Sequence, residues 1–249
     1  MSKSVAPPSK DAPRRLRSPE NWPRSLNLAE LGLEPAVDWA GGLGEAWEPG
    51  EAGAARQLRR FLKEALAEYP ANRDRPGVVG TSRLSPHLHF GEIGTGEVWR
   101  AVLGMMNDNR GACEAYLRQI GWREFAYHLL YHHPESPREA LRREFAAFPW
   151  WAHPAHFTAS KRGQTGYPLV DADLANNTLA WQWIAGCGAD AAPYFRIFNP
   201  ALQAAEFDAG GEYVRRWVPE PANAYPLPIV DHGEARARAL AGLERIRKK

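Results

Sequence analysis

Gln119, Trp122, Arg123 and Ala126 recur at i, i+3, i+4 and i+7, the spacing of one face of an α-helix. An amide, an indole and a guanidinium side by side suit a flat aromatic ligand. Earlier in the chain, Thr81, Ser82, Arg83 and Leu84 run into Ser85 and Pro86. Ser85 before Pro86 reads as an N-cap with proline at the first helical position. Hydroxyls and free backbone N–H groups at a helix start, beside an arginine, form a phosphate cradle. The same residues also read as simple capping. His128, His132 and His133 have two-ligand helical spacing, but no acidic or cysteine partner stands near them in sequence, so no metal is expected.

The elements that must carry these groups are helical. "EAGAARQLRRFLKEALAEY" places Leu58, Phe61, Leu62, Ala65, Leu66 and Tyr69 at helical spacing. Glu51 near its start suits the helix dipole, and Pro70, Asn72, Pro76 and Gly77 are the breakers expected to end it. Residues 111–133 read as one long helix with a stripe of Leu117, Ile120, Phe125 and Leu129, and "GEARARALAGLERIRKK" closes the chain as a basic helix. No run of alternating β-branched residues has strand length, so the fold class is all-α with long loops. Residues 1–45 are rich in Pro, Ser, Arg and Gly and read as an irregular arm. Arg14, Arg15, Arg17 and Arg24 make it basic, as a solvated linker or a DNA-binding arm.

The bulk numbers narrow the classes. A net charge of +2 does not by itself argue for nucleic acid. Cys113 and Cys187 form neither a disulfide framework nor a metal spacing. No apolar run approaches membrane length and the start lacks the apolar core of a secretion signal, so a reducing cytosol is the expected compartment, with no membrane partner. Ten tryptophans are a surplus, which suits rings used as binding surfaces or redox groups, or else a large core.

Five motifs then occur in order: "GTSRLSPHLHFGEI", "IGWREFAYHLLYHHP", "GQTGYPLVDA", "DADLANN" leading to "WQW", and "GADAAPYFRIFNP" followed by "YVRRWVPE". Together they resemble the flavin-binding helical domain of the photolyase/cryptochrome family, with most likeness to class I bacterial photolyases that repair cyclobutane pyrimidine dimers. The resemblance runs from about Trp47 to the C-terminus and defines a domain at 46–249. It implies a U-shaped FAD inside a helical domain and ultraviolet-damaged DNA as partner, with the damaged bases flipped into a cavity above the flavin. The excited reduced flavin would donate an electron, the dimer would split and the electron would return. That cycle needs no general acid, base or nucleophile, in keeping with the lack of a triad or paired-carboxylate site.

Carried over residue by residue, the resemblance assigns FAD contacts to Tyr69, Thr81, Ser82, Arg83, Leu84, Ser85 and Arg123. Asp171, Ala172 and Asp173 would frame the isoalloxazine edge, and Asn177 would face the reactive flavin nitrogen. Trp122 and Trp183 would wall the dimer pocket, with Gln119 and Gln203 as further DNA contacts; many members carry Glu where Gln119 stands. Trp181 would be the ring nearest the flavin in a tryptophan relay and Trp150 the outermost.

Two departures qualify the resemblance. The α/β domain that can hold an antenna chromophore is not matched, so an antenna is not expected. The family also has a helical stretch with a Trp-Met-His-Asn-Arg motif between "GYPLVDA" and "LVDADLANN"; here the two copies of "LVDA" read as collapsed into one near 171, and a smaller gap follows "RRWVPE" near 220. The lost stretch would carry the middle relay tryptophan and the arginine that pairs with an aspartate beside the flavin. Pro168 is expected to start a helix and Asp171 to Asn177 to seek the flavin edge, without both keeping their family positions. The reading is a monomeric, light-driven dimer-repairing flavoprotein by inheritance. The alternatives are a non-catalytic, cryptochrome-like flavin- or DNA-binding relative, a degenerate inactive photolyase remnant, and a basic helical nucleic-acid module.

Overall fold

The computed structural model describes residues 17–27, 29–33, 41–161, 174–190, 194–217 and 227–247. The expected helix start at Pro168, the acidic pair Asp171 and Asp173 with Ala172, and both expected gaps lie outside the described residues. Among those described there are helices and turns and no strand, as the periodicity requires.

The helices in chain order are α1 (Gly41–Ala46), α2 (Glu51–Glu64), α3 (Tyr69–Asn72), α4 (Ser85–His89), α5 (Thr95–Leu103), α6 (Arg110–His132), α7 (Pro154–Lys161), α8 (Leu174–Ile184), α9 (Pro200–Phe207), α10 (Glu212–Trp217) and α11 (His232–Arg247). Short 3₁₀ turns lie at Ala29–Leu31 and Arg143–Ala147. The chain falls into two compact units: 1–69 with 81–114, and 70–80 with 115–249.

In the first unit, α2 buries Leu58 and Phe61 as its spacing predicts, but it ends at Glu64, short of Tyr69. The N–H groups of Ala65 and Leu66 both turn back to the carbonyl of Phe61, which closes the last turn without a breaker. Leu66 and Tyr69 are still buried, with Tyr69 edge-on to Phe61 at 5.9 Å between ring centroids. Pro70 does not stop a helix; it stands second in α3, where its missing N–H leaves no helical bond unmade. Val98 and Val102 on α5 and Cys113 at the start of α6 complete a core whose members are fully buried. Gly53 is fixed by close approach, because a Cβ there would meet the carbonyl oxygen of Glu48 at 2.0 Å.

The second unit is built on the rest of α6 and on α8 and α11. Phe145, Cys187, Leu243 and Ile246 form its buried cluster, with Phe148, Trp181, Ala185 and Phe195 packed around them. Gly242 lets α11 approach closely: a Cβ there would stand 2.7 Å from the Phe148 ring. Asp231 caps α11 by accepting from the Glu234 N–H at 2.8 Å. Asn199 caps α9 in the same way, from Ala201 and Leu202, with Pro200 at the first helical position.

Candidate functional site

The cradle residues sit in the first unit around the start of α4. Ser85 is the first residue of that helix and not its N-cap; Leu84 takes the cap position and no side chain caps the end. The reason lies one step earlier. Arg83 adopts a left-handed backbone, φ 53°, the sole positive φ at a non-glycine among the described residues, a conformation that costs energy for any residue with a Cβ. Its guanidinium lies over the Trp47 ring at 4.6 Å, and Gln57 on α2 donates to the Ser82 carbonyl at 2.7 Å. Leu84 is fully buried beneath, while Thr81 and Ser85 are exposed. Buried His87 is joined to Glu92 at 2.5 Å. That bond, with a second from the Gly50 backbone, holds the Glu92 carboxyl below the usual range.

The second unit holds the flat-ligand face. Trp122 on α6 and Trp183 on α8 line one hollow of about 280 Å³ together with Asn176, Leu179, Ala180 and Asp190. Two indoles 61 positions apart in the chain, expected to wall one pocket, thus meet around one space. Arg196 lies over the Trp183 ring at 3.5 Å, and Phe198 stacks on that ring at 6.4 Å. Asn176 lines the hollow, whereas Asn177, the residue expected to face the flavin, is exposed. Arg123 is ion-paired with Glu124 at 2.9 Å and covers Tyr127 at 4.4 Å. Gln119 is half-buried on α6, and Gln203 half-buried on α9.

Gln182, between the two α8 tryptophans, is the residue that sequence reasoning missed. It is 1% exposed. Its Nε2 donates to the carbonyls of Ser136 at 2.8 Å and Glu139 at 2.9 Å, and its Oε1 accepts from the Leu141 N–H at 3.0 Å. A buried amide with every strong bond made is a clamp. Residues two apart on a helix point about 200° apart around the axis. With Gln182 fixed inward, Trp183 reaches the hollow and Trp181 joins the aromatic cluster. The polar letter between two tryptophans was the available signal.

Trp181 and Trp150 touch directly, edge to face, at 6.2 Å between centroids. Trp150 donates its N–H to the Phe145 carbonyl at 3.1 Å and is 52% exposed. The Trp181 N–H is buried and meets no hydrogen-bond acceptor among the described residues. Among the described residues no group of three metal-ligating side chains occurs. His128 and His132 lie side by side at 4.4 Å, and His133 finds an acid in Glu135 at 3.4 Å, a partner the sequence reading did not count. Both cysteines are free and buried; burial pushes the Cys187 thiol up to about 11. No helix among the described residues is long and apolar enough to cross a membrane.

A model for the FAD binding domain of DNA photolyase matches residues 116–174 and again 169–224, so both matched stretches include 169–174. The deoxyribodipyrimidine photo-lyase of Agrobacterium fabrum is 38% identical over 311 residues, covering 96% of this chain and 65% of that protein. The crystal structure of a bacterial class III photolyase from Agrobacterium tumefaciens superposes with a TM-score of 0.81 at 38% identity, over 93% of this chain and 63% of that one. The chain belongs to the photolyase/cryptochrome family. An archaeal photolyase from Sulfolobus tokodaii, solved with two FAD molecules, matches at 25% identity with a TM-score of 0.62, over 79% of this chain and 56% of that one. Cryptochrome-1 of Arabidopsis thaliana is 31% identical over 82% of this chain and 42% of its own. These relatives span more than one class, so the comparisons establish the family and not the class I subtype. This photolyase-family chain spans less than two thirds of the length of the curated relatives it matches. The Agrobacterium fabrum alignment is 62 positions longer than the whole 249-residue chain, so that relative carries at least that many residues with no counterpart here.

Proposed function

We propose that the chain is a photolyase-type flavoprotein domain that binds FAD and ultraviolet-damaged DNA and repairs cyclobutane pyrimidine dimers under light. The observation that carries this is the meeting of Trp122 and Trp183 on one hollow. Two indoles lining one hollow with apolar Leu179 and Ala180 fit a pair of stacked bases taken out of a duplex. Arg196 on the Trp183 face keeps that ring in place and adds positive charge beside the strand's phosphates.

The donor chemistry of the first unit fits a dinucleotide's phosphates: Thr81 and Ser85 present exposed hydroxyls, and Arg83 stands between them. Tyr69, Ser82, Leu84 and Arg123 complete the proposed contacts, with Asp171, Ala172, Asp173 and Asn177 assigned to the ring. When bound, FAD supplies the light-driven electron donor. The protein's own part is to hold the dimer between Trp122 and Trp183, exclude water there, and bring Gln119 and Gln203 to the DNA. Trp150 and Trp181 are proposed to pass an electron inward directly, from an exposed indole to a half-buried one, as reduction of a bound flavin requires. The protein is proposed to act as a cytosolic monomer.

A second reading, a relative that binds flavin or DNA without repair, is favoured by the shared stretch 169–174. It supports the reading that two family segments are joined near 171, and the exposure of Asn177 fits a ring site altered by that join. The visible spectrum of the purified protein tests the first reading. Flavin bands, followed by light-dependent loss of dimers from irradiated DNA, are expected. A colourless protein would sink FAD binding, and a yellow protein without repair would support the second reading.

A further inference from the structure

The motif "FPWWAHPAHF" contributes Phe148 to the buried cluster and Trp150 to the proposed electron path, but Trp151, His153, His156 and Phe157 have no part in the proposed repair. They open on a groove of about 670 Å³ in the second unit, at the start of α7, lined by Trp151, His153, His156, Phe157, Val230 and Arg238. We propose that this groove binds a small planar aromatic anion, a ring system of one or two fused rings bearing a single acidic group.

Three features carry the assignment. The first is a set of rings kept at the surface: Trp151 is 59% exposed and Phe157 63%. The volume is within the range of small-ligand sites, roughly 300–1,000 Å³, whose walls are mostly apolar and aromatic. The second is a fixed polar edge. His153 and His156 stack at 3.7 Å, and Trp151 meets both edge-on at 5.2 and 5.4 Å. The His153 Nδ1 accepts the His156 backbone N–H at 3.2 Å, which puts the ring proton on Nε2 as a donor. The third is charge. Arg238 on α11 lies over the Trp151 ring at 4.8 Å, and its ion pair with Glu234 is long, 3.9 Å, with both side chains exposed. So open a pair holds the guanidinium weakly, and an acidic group on a ring stacked against Trp151 competes for it.

The test is titration of the full chain with 1-naphthyl phosphate, read by calorimetry and by the ring-proton resonances of His153 and His156. Saturable binding that shifts both histidines is expected. Trp151→Ala should weaken it by about tenfold or more, and Trp151→Phe, which keeps an aromatic face, should restore most of it. Arg238→Ala should lower the affinity for 1-naphthyl phosphate and leave that for 1-naphthol unchanged. Inorganic phosphate alone should not shift the histidines. Absence of binding at millimolar probe, binding indifferent to Trp151→Ala, or equal binding of inorganic phosphate would each overturn the proposal. None of these readouts depends on FAD or repair, so failure of this site and failure of the flavoprotein reading are separable.

Discussion

The two units bury their apolar residues to different depths. In the first, Ala54, Leu66, Leu84, Val98, Val102 and Cys113 are all at 0% exposure; in the second, of the described hydrophobic residues, only Cys187 is. Large apolar groups stand at the surface of both units, at about half or more of their area: Trp22, Leu26, Leu33 and Phe90 in the first, and Tyr131, Trp150, Trp151, Phe157, Tyr194, Phe198 and Leu202 in the second. The first unit is made of neighbouring stretches whose helical periodicity finds its own partners. The second must bring α6, α8 and α11 together across long sequence separations. It therefore rests on a few polar clamps more than on depth of burial.

The largest effect that separates the units is expected at Gln182. Gln182→Ala strands two carbonyls and one N–H in the interior, at about 1–3 kcal/mol each. A loss of roughly 4 kcal/mol or more, seen as an early denaturant transition confined to the second unit's resonances, is the expected result. A single unshifted transition would break the contrast. Next, Leu66→Ala should cost about 3 kcal/mol through transfer and cavity terms, while Phe157→Ala should move stability by no more than about 0.5 kcal/mol. Comparable unfolding shifts for the two would contradict the burial difference. Third comes pH. The Glu92 carboxyl is depressed by its bond from His87, so its contribution is full above the ordinary glutamate range and is lost as pH falls through the folded value. Unfolding midpoints between pH 6 and 3 should fall more steeply for the native chain than for Glu92→Gln. The smallest effect concerns Cys187, whose thiol stays protonated at pH 8. Reaction with a thiol reagent should be slow until denaturant opens the second unit.

Much of the first unit was legible in the sequence because its signals are local. The 3.6-residue stripe located α2 there, and α6, most of which lies in the second unit, to within a few residues, and the all-helical class followed from the lack of alternation. Ser85 misled because a serine before a proline caps a helix only when the preceding backbone is extended. Here Leu84 is helical and Arg83 left-handed, settled by Trp47 and Gln57, which are distant in sequence. The pairing of Trp122 with Trp183 was legible through the family resemblance alone; no local pattern brings α6 and α8 together. Gln182 was legible only as a polar letter between two tryptophans; its partners were not, since the carbonyls it satisfies belong to an irregular stretch at 136–141 that has no periodic signature.

The placement of Trp181 and Trp183 on opposite sides of α8 has a mechanical consequence. They sit either side of a fixed axle, so a small roll of the helix about its axis carries the two rings in opposite senses. Whatever draws Trp183 toward the hollow must swing Trp181 the other way against Trp150. Occupancy of one face would thus be felt at the other as a change in the spacing of two indoles, a lever with Gln182 as its pivot.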